Sequence, residues 1–375
     1  MQPARKDTRA HGKGGDGFLS NHIVRVFSPD DTYSRHSEGA FLRLADGRIL
    51  FIYSRFRGTA SDTAPCDLVA LYSADEGETW TDPVSVVEAS RFGTSNVMSV
   101  SLLRMANGDV GLFFGVKKEP NSNLVYLARS SDEGRTFSRF VECSLSDRPG
   151  YYVLNNDRVE RLSSGRIIMP LTYHRGGYEP GNRGRYWDGR AFGCFLYSDD
   201  DGETWRESPD TVFAPFSGTT TGLQEGGVVE KKNGALWGYY RTDHMLQYET
   251  FSMDEGLHWT APQPSRFSSP PSPLKIKRHP ETGDLYAVWN PIPNYNGRVT
   301  PPGVWGRTPL VWAVSRDDGA SWSEPRVVED RPDRGYCYPA IFFTNDGYMM
   351  CAYCSGGGDI ICLAQLTIQK IDLRA

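Results

Sequence analysis

Six times along the chain an apolar run, a polar-glycine pair and a second apolar run follow one another. The pairs are Asp46-Gly47, Asn107-Gly108, Ser164-Gly165, Asn233-Gly234, Thr282-Gly283 and Asp346-Gly347. The runs beside them, such as Ile49–Tyr53, Val110–Phe114, Ile167–Leu171 and Leu285–Trp289, are rich in β-branched and aromatic residues. A turn pair between two such runs predicts a β-hairpin. A second repeat runs in antiphase: Ser73-Ala-Asp75-Glu-Gly77-Glu-Thr79-Trp80, with counterparts centred on Asp132, Asp200, Asp254 and Asp317. These fit S-x-D-x-G-x-[T/S]-W with small lapses. In such a phrase the Ser and Asp side chains bond nearby backbone N–H groups, the Gly takes a positive φ, and the aromatic tucks under the loop.

Taken together, each unit reads as strand, X-Gly turn, strand, loop, strand, Ser-Asp-Gly-Trp turn, strand, which is one four-stranded propeller blade. Six hairpins count six blades. The sixth has its hairpin at Gly347 and a third strand near Ile360–Ile368, after which the chain ends. The N-terminal run His22–Phe27 is predicted to supply its fourth strand, closing the ring and covering an edge that would otherwise be unpaired. The expected fold is therefore all-β: one six-bladed propeller of four-stranded antiparallel blades over residues 21–375, behind a disordered leader over 1–20.

Composition narrows the function. The net charge of −5 is mild and no Lys/Arg stripe is present, which argues against nucleic acid. No apolar stretch approaches the ~20 residues of a membrane helix, and the polar N-terminus has no signal-peptide h-region. As given, the chain reads as cytoplasmic, with export left open if the N-terminus was trimmed. The seven Cys are scattered, and Cys337, Cys351 and Cys354 have no His at zinc spacing, so buried thiols are expected and no metal or cofactor is implied. Oligomeric state is not legible.

In a propeller the innermost strand of each blade lines a central funnel, so chemistry belongs at the starts of those strands. Here the lead-ins are polar: Arg35-His36-Ser37-Glu38, Thr94-Ser95-Asn96, Asn155-Asn156-Asp157-Arg158, Gln224-Glu225 and Tyr336-Cys337-Tyr338. The Ser-Asp-Gly-Trp phrase is the Asp-box, and Asp-boxes in a six-bladed propeller resemble the sialidase (neuraminidase) superfamily. That resemblance implies an exo-acting glycoside hydrolase working on an acidic sugar at a glycan terminus, by a retaining mechanism with a Tyr nucleophile. Matching local sequence gives Tyr338 as nucleophile, with Tyr336 an alternative, Glu225 as its base and Asp62 as acid/base. Arg241 and Arg307 would clamp the substrate carboxylate. A neutral Tyr suits such a sugar, because a carboxylate nucleophile would meet like charge at the anomeric carbon.

One departure qualifies this picture. The first-blade Arg of the family falls on Ser37-Glu38-Gly39, so Arg35 or Arg158 is expected to replace it. His36, Glu38, Asn155, Asn156, Asp157 and His174 are further candidate substrate contacts, and the Gly176–Gly189 segment a rim over the funnel. Two alternatives stay open: a hydrolase or polysaccharide lyase for a non-sialic sugar using these His, Glu and Asp residues, and a non-catalytic propeller that binds glycan or protein.

Overall fold

In the computed structural model the described residues are 21–119, 122–144, 150–178, 185–292 and 301–374. The leader expected over 1–20 lies outside them. Blade one runs Tyr33–Arg43, Ile49–Arg57, Cys66–Ser73, Val84–Val87, in that spatial order from the axis outward. Blade two follows with Val97–Arg104, Val110–Glu119, Ser122–Ser130 and Ser138–Glu142. In blade three the innermost strand is split into Tyr151–Val153 and Glu160–Arg161, both paired to Ile167–His174. Blades four and five begin with Gln224–Glu230 and Lys275–Arg278. Blade six orders Gly335–Phe343, Tyr348–Gly357, Ile360–Asp372 and, outermost, His22–Phe27. Phe27 opposes Leu366 and His22 opposes Lys370, so the strand His22–Phe27 completes the last blade as the sequence predicts.

The ring closes through its core. Among the described residues, six large apolar clusters each lie between neighbouring blades. The one joining blades six and one contains Phe27, Phe41, Phe51, Ala340, Met350 and Ile368. The inner strand Tyr33–Arg43 touches both Val97–Arg104 and Gly335–Phe343.

The Asp-boxes are staples between blades. In the first, Thr79 N–H and Ser73 Oγ donate to Asp75 Oδ1 (2.9 and 2.8 Å), Thr79 Oγ1 donates to Oδ2 (2.5 Å), and Trp80 Nε1 donates to Gly77 O (2.9 Å). Gly77 has φ +88°, and a Cβ there would lie 2.2 Å from Met350 Sδ of blade six, so the turn needs glycine twice over. In four of the five boxes the acid after the Asp also serves: Glu76, Glu133, Asp201 and Asp318 pair with Arg43, Arg104, Arg161 and Arg278, at or near the ends of the inner strands. These contacts occupy one face of the ring. The starts of the inner strands open on the other.

Candidate active site

Four inner strands carry the same irregularity near their starts. The register slips between Ser37 and Ala40, Met98 and Ser101, Gln224 and Gly227, and Cys337 and Ala340. In each bulge one residue takes a left-handed backbone: Glu38 (φ 56°), Ser99 (64°), Glu225 (49°) and Tyr338 (54°). Glycine normally holds such a position, and a side chain there costs on the order of 1–3 kcal/mol. All four side chains line a single cavity of about 850 Å³ at the funnel mouth. The bulges thus turn four side chains that would otherwise follow the strand's alternation toward the axis, and the strain is concentrated where chemistry is expected.

At the centre, Tyr338 Oη donates to Glu225 Oε1 at 2.6 Å, and Arg241 Nη1 donates to the same oxygen at 2.6 Å. Arg241 lies directly opposite Gln224 in the blade-four hairpin, which is why a residue sixteen positions from Glu225 reaches it. Glu225 Oε2 and Arg241 Nε are buried with no protein partner among the described residues. Burial and the Glu225 charge hold the Tyr338 phenol well above its ordinary pKa, against the pull of Arg307 and Arg241, so the resting tyrosine is neutral. Arg307 is buried, donates through Nε and Nη2 to Pro271 O (3.2 and 3.0 Å), and lies 5.5 Å over the Tyr338 ring. Among the described residues it meets no carboxylate within ion-pair distance.

On the opposite wall, Arg35 bridges two carboxylates, with Nη2 2.7 Å from Glu38 Oε1 and Nη1 2.5 Å from Asp62 Oδ1. Ser99 Oγ bonds Glu38 Oε2. The Asp62 loop is pinned by its backbone oxygen, which accepts from Asn96 Nδ2 (3.1 Å) and from Lys117 Nζ. His174 Nδ1 bonds Asp188 O at 3.2 Å and its ring stacks on Trp187, 4.8 Å away; burial keeps the imidazole below its ordinary pKa. The hairpin Gly176–Tyr178 and Arg185–Trp187 brings Trp187 and Gly189 to the cavity. The rim expected over Gly176–Gly189 lies outside the described residues at 179–184.

Of the residues expected from sequence, Tyr338, Glu225, Asp62, Arg241, Arg307, Glu38, Asn155 and His174 meet around this cavity. The others do not. Arg35 is wholly buried behind Glu38 and Asp62, with both Nη atoms engaged, so it is no substitute clamp. Arg158 donates to Tyr239 Oη (2.9 Å) beneath the cavity, and Asp157 is held by Lys277 (2.9 Å), Lys275 (3.5 Å) and the Ile341 N–H. His36 faces away, bonded to Tyr53 Oη and stacked on Phe27; burial lowers its pKa to about 4. Tyr336 is buried against Tyr353 and does not reach the cavity. Asn156 touches backbone instead, its Nδ2 donating to Gly39 O (3.0 Å) and Tyr338 O (3.2 Å), which ties the bulges of blades one and six together.

The cavity also takes in Lys117, Tyr151, Ser99 and Trp305, which the sequence did not single out, together with Trp187 from the expected rim segment. Lys117 carried a signal, a Lys-Lys pair ending the apolar strand Val110–Glu119.

A six-bladed Asp-box propeller with a charged cavity at the start of its inner strands defines a sialidase-like class of protein. More specifically, the chain matches the BNR repeat-like domain over residues 52–351 and belongs to that family. Solved structures of similar fold include a Dyadobacter fermentans protein of unknown function (16% identity, 94% of this chain and 100% of that one, TM-score 0.68). The Hadza microbial sialidase Hz136 is another (17%, 94% and 68%, TM-score 0.72). A third is the Trypanosoma rangeli sialidase in complex with 2,3-difluorosialic acid, a covalent intermediate (15%, 93% and 59%, TM-score 0.69). At such identities the likeness is one of fold. No curated protein matches the chain.

Proposed function

We propose that the protein is a retaining exo-glycoside hydrolase that removes a terminal acidic sugar of the sialic acid class, with Tyr338 as nucleophile. The observation that carries this reading is the 2.6 Å bond from Tyr338 Oη to Glu225 Oε1, on a carboxylate also held by Arg241. A nucleophile, a base touching it and a third group orienting the base form the arrangement that activates a weak nucleophile. As Tyr338 Oη attacks the anomeric carbon, its proton passes to Glu225, and a carboxyl on the far wall protonates the departing oxygen. Water then attacks the glycosyl-tyrosine, releasing the sugar with its original configuration. Arg307, a buried guanidinium with no carboxylate within ion-pair distance among the described residues, suits a substrate carboxylate, and neutralising Glu225 frees Arg241 to join it.

The test is release of fluorophore from a 4-methylumbelliferyl glycoside of N-acetylneuraminic acid by wild type and by Tyr338→Phe. Turnover lost in the variant supports the reading. Equal turnover by both would move the chemistry to the other carboxylates of the cavity, and none by a folded wild type would refute a sialic acid substrate.

A further inference from the structure

Resting on that hydrolase reading, we propose that Glu38, rather than Asp62, is the carboxyl that protonates the leaving group and later deprotonates the attacking water. The geometry begins with Arg35, whose one guanidinium faces two carboxylates, Glu38 Oε1 at 2.7 Å and Asp62 Oδ1 at 2.5 Å. Arg35 is shared between the two carboxylates, and the second cation of this wall, Lys117, bonds the Asp62 backbone oxygen and favours the Asp62 anion, so a bound proton is better placed on Glu38. The two partners differ in access to water: the Glu38 side chain is 4% exposed and that of Asp62 60%. Water solvates the Asp62 anion, so the proton goes to Glu38. Ser99 Oγ at Glu38 Oε2 serves both states, since a hydroxyl accepts from the carboxyl and donates to the carboxylate.

The electrostatics agree. Burial raises the Glu38 carboxyl and the Asp62 charge adds to this, with Arg35 offsetting only part. For Asp62 the raising effect of burial is outweighed by Arg35 and Lys117, and its carboxyl sits below its ordinary value. An ionised Asp62 has no proton to give.

Position favours Glu38 too. It occupies the bulge position in blade one that Tyr338 occupies in blade six, and Asn156 Nδ2 links Gly39 O to Tyr338 O, fixing the two bulges relative to each other. A Cβ at Gly39 would lie 2.3 Å from the Phe51 ring, so the chain beside Glu38 has no room to relax. A neutral Glu38 also removes the conflict that an anion would pose to an acidic sugar.

The step balances. The Tyr338 Oη–carbon bond forms as the glycosidic carbon–oxygon bond breaks; the phenol proton goes to Glu225 and the Glu38 proton to the leaving oxygen. Glu38, now an anion against Arg35, takes a proton from water as that water attacks, and Glu225 returns its proton to Tyr338.

The test compares two sialosides, one with an activated aryl leaving group and one with a sugar leaving group. An activated phenol leaves without a proton, whereas a sugar needs one. In kcat/KM, which reports cleavage of the glycosidic bond, Glu38→Gln is expected to lose less than about tenfold on the aryl glycoside and about 10²–10⁴-fold on the sugar-linked one, while kcat on the aryl glycoside falls because the attacking water has lost its base. It should also lose the alkaline limb of the pH profile. The groups facing Glu38 that shape that limb are Arg35 and Asp62 of blade one, Ser99 and Lys117 of blade two, Glu225 and Tyr338. Glu38→Asp should restore part of the selective loss. The same leaving-group pattern in Asp62→Asn and not in Glu38→Gln would overturn the assignment, as would equal loss on both substrates. Independently of turnover, infrared spectra of the wild type at neutral pH should contain a protonated-carboxyl band that is missing from folded Glu38→Gln; no such band, or one kept in Glu38→Gln, overturns the assignment. A wild type that hydrolyses neither substrate defeats the hydrolase reading itself, and the catalytic role of Glu38 with it.

Discussion

Replacing Glu225 with Gln isolates charge from shape. The amide oxygen can still accept from Tyr338 Oη and from Arg241 Nη1, the two bonds that Glu225 Oε1 makes at 2.6 Å. What disappears is the proton acceptor and the negative partner of Arg241. A positioned base contributes about 10²–10⁴-fold in rate. That corresponds to about 2.7–5.4 kcal/mol of lost transition-state stabilisation at 1.36 kcal/mol per decade. The fold should suffer less, by about 1–3 kcal/mol, because the charged hydrogen bond is weakened, not left unmade. Glu225→Gln should therefore lower kcat by at least a hundredfold on the 4-methylumbelliferyl sialoside while its melting curve stays cooperative. Burial is the larger cause holding the Tyr338 phenol up and the Glu225 charge the second, so the phenol stays neutral in the variant and the lost rate measures the missing proton acceptor. A variant within threefold of the wild-type kcat would refute Glu225 as the base.

Three further outcomes follow from the same structure. Arg307→Met removes the guanidinium that lies over Tyr338, and kcat/KM for the acidic sugar should fall about 10- to 150-fold, the range of a charge-assisted bond, with little change for its methyl ester; equal losses on both would place Arg307 in packing alone. Asp200→Ala deletes acceptors for Ser198 Oγ (2.8 Å), Thr204 N–H (2.9 Å) and Thr204 Oγ1 (2.6 Å), and denaturant unfolding should register about 1–2 kcal/mol of lost stability with kcat unchanged, because this staple lies on the face away from the cavity. Acid should unfold the protein in two windows. His36, held neutral with a pKa of about 4 against 6.5 unfolded, costs stability as pH falls from 6.5 toward 4, and Asp200 and Asp254, at about 2 against 3.8, lose their contribution as pH falls from 3.8 toward 2; a melting temperature flat from pH 7 to 4 in wild type would contradict the first.

The fold was legible because its punctuation is local. An X-Gly turn and an Asp-box each need particular residues at fixed offsets, and His22–Phe27 could be assigned to blade six because a ring leaves one edge to cover. Glu225 with Arg241, and Tyr338, were legible as motif matches, and their contact follows from hairpin register. Arg35, His36, Asn156, Asp157 and Arg158 were misplaced for one physical reason. A polar residue entering an inner strand can point into the cavity or into the buried axis, and a bulge of one residue decides which. Glu38 turns into the cavity while Arg35, three residues earlier, backs it from behind. Lys117 escaped because it comes from the second strand of its blade, whose approach to the funnel depends on how neighbouring blades pack.

The central claim is that Tyr338 bonds covalently to the sugar, and it is tested most directly by incubating the protein with 2,3-difluorosialic acid and mapping the adduct by peptide mass spectrometry. That reagent leaves as fluoride and needs no proton donor, so the result does not depend on Glu38. The account predicts a stoichiometric glycosyl adduct on the peptide carrying Tyr338, absent in Tyr338→Phe and slowed in Glu225→Gln. An adduct on Glu38, Asp62 or Glu225, or no adduct on a protein that turns over the sialoside, would contradict it.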